Sequence, residues 1–600
     1  METFEIGKKD FILNGQPFKI MSGAIHYFRV PREDWYHSLY NLKAMGFNTV
    51  ETYIPWNLHE TNEGVFDFSE GKDIEHFLDV AQSLGLYAIV RPTPYVCGEW
   101  EFGGLPAWLL EKDVRLRSRD PKYLSYVEKY YQELLPRLVD HQLDHGGNVL
   151  MFQVENEYGS YGEDKDYLRA IRQMMLDANL TMPLFTSDGP WRGTVRAGSL
   201  VEDGVLETGN FGSKAAMNFA DLESYFAEHD REFPLMSMEF WDGWFNRYNE
   251  PIVTRETDEL VESVRDCLRL GSINLYMFHG GTSFGFMNGC SARGEEDLPQ
   301  LSSYDYGAPL NEQGNPTEKY YALQRMIHEE FPDIEQHEPL IKPAMATQPI
   351  ALSDKVSLFN TVDALAKPIE TVYPETMEAL GQNYGYLLYR THFEKDTKGD
   401  DEETIRLIDG RDRAQVYLNQ EHLATQYQFE IGDKIQTPLT QKDNQLDILI
   451  ENMGRVNYGS KLAADTQRKG FRQGVMVDLH FILNWQQYCL PLDNIEAIDF
   501  SGEWMENQPA FYRYDFSVND AKDSYIDLRQ FGKGSVFVNG INIGRFWNVG
   551  PAQSLYVPGA FLNEGENTIV IFETEGVHSE TIQLVEAPLF SEVEGKARTK

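Results

Sequence analysis

A long alternation of two sequence patterns, running from about Phe18 to Gln324, constrains the fold most. Short apolar, β-branched runs typical of buried strands alternate with longer amphipathic stretches typical of helices. The strand candidates are 18–26, 47–54, 86–92, 148–155, 183–187, 205–209, 234–239 and 272–278, and helix candidates between them include 34–45, 73–84, 121–143, 165–178 and 255–270. Eight parallel strands with helical crossovers predict a (β/α)8 TIM barrel, which belongs to the α/β class.

Beyond about residue 330 the pattern changes to short alternating strands separated by Gly, Asn and Asp turns. An internal repeat is visible there, because the segments at 389–393, 414–419 and 444–451 recur at 512–516, 535–540 and 567–573. We therefore predict two all-β jelly-roll (β-sandwich) domains after the barrel. The predicted boundaries are 1–330 for the barrel, 331–384 for a proline-containing connector that adds a strand to one β-domain, 385–490 for the first β-sandwich and 491–600 for the second.

Charge and cysteine content narrow the function classes. The net charge of −41 repels nucleic acid and anionic membrane surfaces, and no run of about 18 apolar residues could span a bilayer. The four cysteines (Cys97, Cys267, Cys290, Cys489) form no zinc-type spacing, and the N-terminus lacks the pattern of a secretory signal. We expect a cytoplasmic protein with no metal and no cofactor, in which His26, His59 and His279 are structural.

Two glutamates are placed where a barrel builds its active site. Glu157, in the segment 153–159, follows the fourth predicted strand, and Glu239 ends the seventh. Residues at the C-terminal ends of barrel strands face the substrate, and strands four and seven lie across the barrel from each other. Cleavage of a glycosidic bond needs one carboxylic acid to protonate the leaving oxygen and one carboxylate to meet the anomeric carbon.

We therefore predict a glycosidase with Glu157 as general acid/base and Glu239 as nucleophile. We predict that the two carboxyl groups are about 5–5.5 Å apart, which leaves no room for a water, and we therefore expect a covalent glycosyl-enzyme with retention. Asn156, next to the acid, is suited to donate a hydrogen bond to the sugar 2-OH. The aromatic content of 13% favours sugar binding as well, because sugar rings stack on such side chains.

Several motifs resemble glycoside hydrolase family 35, the β-galactosidases. They are QVENEYGSYG (153–162), VETYIPWNLHE (50–60), RPTPYVCGEWEFGGLPAWLL (91–110), MEFWDGWF (238–245), INLYMFHGGTSFGFMNG (273–289) and ENMGRVNYG (451–459). The likeness is greatest to the bacterial β-1,3-galactosidases, which implies release of terminal galactose from a galactose-terminated oligosaccharide or glycan, with a preference for β-1,3-linked galactosyl-N-acetylglucosamine. The resemblance also implies a galactose pocket lined by Tyr53, Cys97, Gly98, Glu99, Asn156, Glu157, Glu239, Trp244, Tyr276, Tyr304 and Tyr306.

Four positions depart from the family pattern: Thr93, Gly98, Ser283 and Gly307 stand where Gly, Ala, Asn and Asp are usual. None belongs to the predicted catalytic pair. We assign Glu99 to the galactose hydroxyls, and Cys97 to packing or a weak hydrogen bond rather than nucleophilic attack. Trp241, Trp244 and Tyr458 are candidates for an aromatic platform beyond the scissile bond, with core packing as the alternative for Trp241.

Two other functions fit parts of the pattern. Another retaining barrel glycosidase, of β-glucosidase or β-mannosidase type, would use the same acid pair in a different pocket. A non-catalytic carbohydrate-binding protein would use the β-domains as lectin modules, although the presence of both Glu157 and Glu239 speaks against it. We expect the β-domains to wall the substrate cleft and to support a homodimer.

Overall fold

The computed structural model describes residues 2–394, 402–439 and 441–595. The chain begins with a three-stranded antiparallel sheet (β1 Phe4–Ile6, β2 Phe11–Leu13, β3 Gln16–Phe18). A closed barrel of eight parallel strands follows, and a hairpin, β12 (Cys290–Arg293) with β13 (Glu296–Pro299), comes after it. The barrel strands are β4 Met21–Ile25, β5 Thr49–Tyr53, β6 Tyr87–Arg91, β7 Val149–Gln153, β8 Leu184–Asp188, β9 Leu206–Asn210, β10 Met236–Trp241 and β11 Ser272–His279.

The predicted TIM barrel is confirmed, and each of its strands falls within or beside one of the predicted runs. Most barrel strands are buried along their whole length, which is why they read as continuous apolar runs rather than as alternating patterns. Strands β7 and β10, which precede or carry the two predicted catalytic glutamates, occupy positions four and seven of the barrel.

Helices cover the outside of the barrel. The predicted helix at 121–143 ends earlier, at Val139, because the chain then turns back through Gly146 and Gly147 into β7. Asp120 caps this helix by accepting from the backbone N–H of Lys122, with Pro121 in the first turn. The helices of the barrel domain are α1 Trp35–Ala44, α2 Trp56–His59, α3 Ile74–Ser83, α4 Pro121–Val139, α5 Lys165–Asp177, α6 Arg192–Gly198, α7 Ala215–Glu228, α8 Thr257–Leu270 and α9 Glu318–Glu330, and α10 Val362–Leu365 lies in the connector and packs against the β-domains.

The segment 331–384 carries three short strands, β14 (Gln348–Ala351), β15 (Asp354–Ser357) and β16 (Ile369–Thr371). We predicted that this connector adds a strand to one β-domain, whereas the structure gives strands to both. Strands β14 and β15 join the two sheets of the second β-domain, and β16 joins the first β-domain. Each lies at the edge of its sheet, where Pro349 is tolerated because an edge strand has an unpaired side.

The remaining strands form two further pairs of sheets. The first β-domain has the orders β16-β25-β17-β22-β19-β20 and β21-β18-β23-β24, and the second has β15-β26-β31-β28-β29 and β14-β32-β27-β30. The segments of the sequence repeat therefore occupy equivalent positions, β17, β19 and β22 in one copy and β26, β28 and β31 in the other. The strands are β17 Tyr386–Glu394, β18 Glu402–Arg411, β19 Arg413–Leu418, β20 Glu421–Tyr427, β21 Ile435–Pro438, β22 Asp443–Glu451, β23 Gly470–Val477, β24 His480–Phe481, β25 Trp485–Leu490, β26 Ala510–Val518, β27 Ser524–Asp527, β28 Lys533–Val538, β29 Ile541–Trp547, β30 Ser554–Val557, β31 Gly565–Glu573 and β32 Thr581–Val585.

A loop of the first β-domain reaches the mouth of the barrel. The hydroxyl of Tyr95 donates to the backbone carbonyl of Asn457 at 2.6 Å. Two residues earlier, the buried guanidinium of Arg455 forms ion pairs with Glu101 of the barrel domain and Glu378 of the connector. The β-domain thus completes one wall of the cavity at the ends of the barrel strands. Across the described residues, no helix combines the length and apolar character that a membrane crossing requires.

Candidate active site

A cavity of about 160 Å³ opens at the C-terminal ends of the barrel strands. It brings together most of the residues that the sequence singled out, and both predicted catalytic glutamates are among them. Phe245, Arg247, Ser291, Ala292 and Asn457 also line it and were not predicted. The predicted residues in its lining are Cys97, Gly98, Glu99, Asn156, Glu157, Glu239, Trp241, Trp244, Tyr276, Tyr306 and Tyr458.

Two predicted pocket residues, Tyr53 and Tyr304, lie behind the lining rather than in it. The hydroxyl of Tyr53 donates to Oε1 of Glu239 at 2.5 Å. The hydroxyl of Tyr304 donates to Oε2 of Glu99 and is 3.2 Å from the hydroxyl of Tyr276. Both tyrosines therefore hold a carboxylate that faces the cavity.

Glu239 is held by three donors. Besides Tyr53, the guanidinium of Arg91 donates to Oε1 at 2.7 Å, and the indole N–H of Trp241 donates to Oε2 at 3.2 Å. The side chain of Glu239 is 9% exposed and that of Arg91 is fully buried, so little water screens this ion pair. Charge-assisted hydrogen bonds are strong and directional, so these donors fix the orientation of the carboxylate.

Glu157 stands in a different environment. It follows β7 in a left-handed backbone conformation, with φ of 45°, and its N–H donates to the carbonyl of Ser187 at 3.1 Å. The neutral side-chain amide of Asn210, at the end of β9, donates to Oε1 of Glu157 at 3.0 Å, and Ser187 Oγ in turn donates to Asn210 Oδ1 at 2.7 Å. The two glutamates thus face one cavity with donors of different charge.

Arg91 links the two sides of the site, and sequence reasoning did not single it out. Its guanidinium contacts Glu239 and also donates to Oδ1 of Asn156 at 2.9 Å, while Nη1 lies 3.5 Å from Oε1 of the buried Glu51. Burial raises the pKa of Glu51 to about 7, although the nearby positive charge of Arg91 acts in the opposite direction. The signal that could have found Arg91 is its position at the end of the third barrel strand. Asn210 has the same signal on the sixth strand.

The side-chain amide of Asn156 forms hydrogen bonds within the protein through both its nitrogen and its oxygen. Its Nδ2 donates to the carbonyl of Val96 at 3.0 Å, and its Oδ1 accepts from Arg91 and from Gln153. Because an amide nitrogen carries two hydrogens, one of them can still be donated to a bound sugar.

Three consecutive residues of the pocket wall, Cys97, Gly98 and Glu99, have positive φ of 59°, 51° and 46°. Such a conformation is costly for residues with a side chain, and it persists only where the surroundings fix it. Arg29 contributes to this, because it donates to the carbonyl of Gly98 at 2.5 Å and lies over the ring of Tyr304. The strained segment directs Glu99 into the cavity.

Cys97 has the chemistry of a packing residue. Burial raises the pKa of its thiol to about 12, with the carboxylate of Glu99 acting in the same direction. Asn457 Nδ2 lies 3.4 Å from its sulfur. A thiol that stays protonated is a poor nucleophile.

Aromatic side chains line the outer part of the cavity. Trp241 and Trp244 meet edge to face, with ring centroids 5.6 Å apart, and Trp244 stacks on Phe245 at 5.1 Å. Tyr458 comes from the loop of the first β-domain. Their assignment as a platform for the second sugar stays a prediction.

The three histidines lie apart from one another in hydrogen-bond networks. His59 contacts the hydroxyl of Tyr27 at 2.6 Å, and His279 contacts Oγ of Ser38 at 2.8 Å. His26 Nδ1 lies 2.8 Å from Nη1 of Arg29. No cluster of three or more His, Cys, Asp or Glu side chains with the arrangement of a metal site occurs within the described ranges.

Comparison with known proteins agrees with this architecture. A model of Glycosyl hydrolases family 35 matches residues 10–330, a model of the first all-beta domain of beta-galactosidase matches 374–492, and a model of the galactose-binding domain of beta-galactosidase matches 509–567. These matches cover the barrel and parts of both β-domains.

Several curated proteins are similar over most of the chain. A beta-galactosidase of Xanthomonas manihotis is 37% identical over 92% of this chain and 91% of its own. The beta-galactosidase of Homo sapiens is 37% identical over 96% of this chain and 87% of its own, and beta-galactosidase-1-like protein 3 of Mus musculus is 36% identical over 95% and 87%. The expected resemblance is thereby confirmed, and this chain belongs to glycosyl hydrolases family 35 as a glycoside hydrolase of the β-galactosidase class.

Proposed function

We propose that this protein is a retaining exo-β-galactosidase that releases terminal β-galactose by double displacement. The observation that carries the proposal is the convergence of Glu157 and Glu239, from strands four and seven, on one cavity. Retaining glycosidases need such a pair, with the two carboxyl groups about 5–5.5 Å apart.

The two environments support different roles. Glu239 accepts from the guanidinium of Arg91 and from Tyr53, which hold its carboxylate in the fixed orientation that a nucleophile requires. Glu157 accepts from a neutral amide, that of Asn210. In the first step Glu239 bonds to the anomeric carbon while Glu157 gives its proton to the departing oxygen. In the second step Glu157 takes a proton from water, whose oxygen displaces Glu239 from the sugar.

Glu99 is suited to recognise galactose hydroxyls. Tyr304 holds Oε2 of this carboxylate from behind, and the strained backbone of residues 97–99 fixes its direction. A fixed acceptor discriminates against an epimer that leaves it unpaired, because a buried polar group without a partner is costly. This supports galactoside over glucoside or mannoside substrates.

The preference for a β-1,3 linkage to N-acetylglucosamine is part of the proposal. Trp241, Trp244 and Tyr458 lie in the outer part of the cavity, where they can hold the sugar beyond the scissile bond. Hydrolysis of matched β-1,3-, β-1,4- and β-1,6-linked galactosides tests this preference, and equal rates on all three would exclude it.

Azide rescue tests the mechanism. With Glu239→Gly, turnover should disappear and azide should restore it, giving the α-galactosyl azide, because azide takes the place of the missing nucleophile. The matched control is Glu157→Gly, which retains the nucleophile, so azide attacks the glycosyl-enzyme and gives the β-galactosyl azide. NMR of the products distinguishes the two anomers. A β product from the Glu239 variant would show that another residue is the nucleophile.

A further inference from the structure

A pair of buried carboxyl groups lies behind the turn that carries Glu157. Asp188 ends strand β8, Glu207 lies on the neighbouring strand β9, and their exposed fractions are 1% and 0%. The two carboxyl groups are within hydrogen-bonding reach of each other. Oδ2 of Asp188 and Oε1 of Glu207 are buried without an N–H or O–H donor among the described residues. A proton held between the two groups would supply that donor.

Asp188 also contacts the turn directly. Its Oδ1 accepts the backbone N–H of Gly159, two residues after Glu157, at 2.7 Å. The turn has no space to move outward, since a Cβ on Gly159 would meet the carbonyl oxygen of Thr194 at 1.9 Å. A Cβ on Gly198 would meet Oδ2 of Asp188 at 2.2 Å, so helix α6 packs on the other side of the carboxyl group. Asp188 therefore ties the turn of Glu157 to the end of β8.

The pair holds a proton at neutral pH. Burial raises the pKa of Asp188 well above its usual value, with the charge of Glu207 acting in the same direction, and burial raises the pKa of Glu207 to about 8. The N–H of Gly159 and the hydroxyl of Thr186, which donates to Glu207 at 2.5 Å, favour one ionised carboxylate. A second charge beside it is disfavoured, so the pair keeps at least one proton and gains a single negative charge only as the pH rises through the pKa of Glu207, about 8.

Other charged and titratable groups around the pair are few. Helix α6 brings two exposed arginines that already pair with acidic side chains, Glu228 and Glu163. The groups that face the pair are Glu157 and Arg117 toward Asp188, and Lys165 of α5 and Tyr225 of α7 toward Glu207. Lys165 is itself paired with Glu202 at 2.9 Å. Glu157 is thus the group in the cavity that faces the pair.

We propose that Asp188 and Glu207 are positioning residues for the acid/base step: Asp188 anchors the turn that carries Glu157, and the negative charge that the pair gains as the pH rises favours the protonated form of Glu157. This inference rests on the proposed role of Glu157. Neither residue lines the cavity, so neither touches the substrate. The pair acts only through Glu157.

The double variant D188N/E207Q tests the charge, because it keeps both side-chain shapes and removes the ionisable groups. Without the negative charge, Glu157 loses its proton more easily. We expect the alkaline limb of kcat/KM, measured with a galactoside that has a poor leaving group, to move about 0.5–1 unit to lower pH. A folded variant whose pH profile superimposes on the wild type would overturn this half of the proposal.

The single variants D188A and D188N test the anchor. Asparagine keeps an oxygen that accepts the Gly159 N–H, whereas alanine does not. We expect D188A to lose about tenfold in kcat on a poor leaving group with little change in KM, and D188N to lose less than about threefold at its own pH optimum. Equal losses in the two variants would overturn the anchor. The isosteric double variant keeps the charge test open if D188A fails to fold.

A matched control separates these effects from the general cost of removing a buried carboxyl group. Glu573 in the second β-domain is buried, accepts the Gly532 N–H at 3.1 Å and has a pKa raised by burial to about 7. E573Q should leave the pH profile unchanged, and a shift like that of the double variant would overturn the proposal. If E157Q retained full activity on the poor leaving group, the proposed function itself would fail, which is a different result.

Discussion

Replacing Arg91 with methionine removes a buried guanidinium that contacts both Glu239 and Glu51. Arg91 Nη2 donates to Glu239 at 2.7 Å, and Nη1 lies 3.5 Å from Glu51. Both of its carboxylate partners are shielded from water, so the variant leaves two acidic groups in a poorly solvated region without their counter-charge. Methionine approximates the length of the aliphatic part of the side chain, so the main change is electrostatic.

The size of the effect follows from the type of contact. A hydrogen bond to a charged group contributes about 1.5–3 kcal/mol, which corresponds to about 10- to 150-fold in kcat/KM if the bond holds the nucleophile in its reactive form. The same guanidinium holds Asn156 by donating to its Oδ1 at 2.9 Å, so its loss disturbs the orientation of two cavity residues together.

The assay is kcat/KM with an aryl galactoside, together with thermal unfolding to confirm that the variant is folded. Arg455 supplies a matched control, because it is equally buried and pairs with two glutamates, Glu101 and Glu378, outside the cavity. Arg455→Met should lower stability with a smaller loss of kcat/KM than Arg91→Met. A folded Arg91→Met variant that loses less than about tenfold in kcat/KM would refute the reasoning.

Three further outcomes are expected. Glu157→Ala should lose far more activity on substrates with poor leaving groups than on those with good ones, because only the former need protonation; equal losses would contradict its role as the acid. Trp241→Ala and Trp244→Ala should lose disaccharide activity more than aryl-galactoside activity, and the reverse order would exclude the platform. Burial raises the pKa of Glu312 to about 8, so its ionisation costs more in the folded than in the unfolded protein. Wild-type stability should fall by a few kcal/mol as the pH rises from about 4.5 through 8, whereas Glu312→Gln should lack this component in thermal unfolding, and identical pH dependence would contradict it.

The barrel could be predicted because its signal is local and repeated. Each strand, such as 148–155 or 272–278, is a short apolar run, and each helix is a longer amphipathic stretch, so the order along the chain indicates the topology. The connector was harder to interpret. Strands β14, β15 and β16 have only three or four residues each, and their partners lie more than 100 residues away, so no local pattern shows which sheet they join.

The residues that line the candidate site could be predicted better than the residues that hold them in place. Glu157 and Glu239 stand out because they follow or end strands and lie within motifs rich in aromatic residues. Arg91 and Asn210 also end strands, but their role depends on which carboxylate each of them contacts, and the sequence does not show this. Tyr53 was expected in the lining and instead supports Glu239 from behind. The position of a residue in the sequence indicates at which end of the barrel it lies. It does not indicate which side chain it contacts there.

The amino-acid sequence by itself determined the α/β barrel, the repeated β-domains and the pair of glutamates, since strand and helix periodicity and the strand-end position are properties of neighbouring residues. The tertiary structure decided which groups meet. Tyr53 and Glu239 are 186 residues apart, Arg91 and Glu239 are 148 apart, and Tyr95 meets Asn457 across 362 residues. Such contacts depend on closure of the barrel and docking of the β-domain, which bring distant side chains within hydrogen-bonding distance. No periodic pattern in the sequence indicates them.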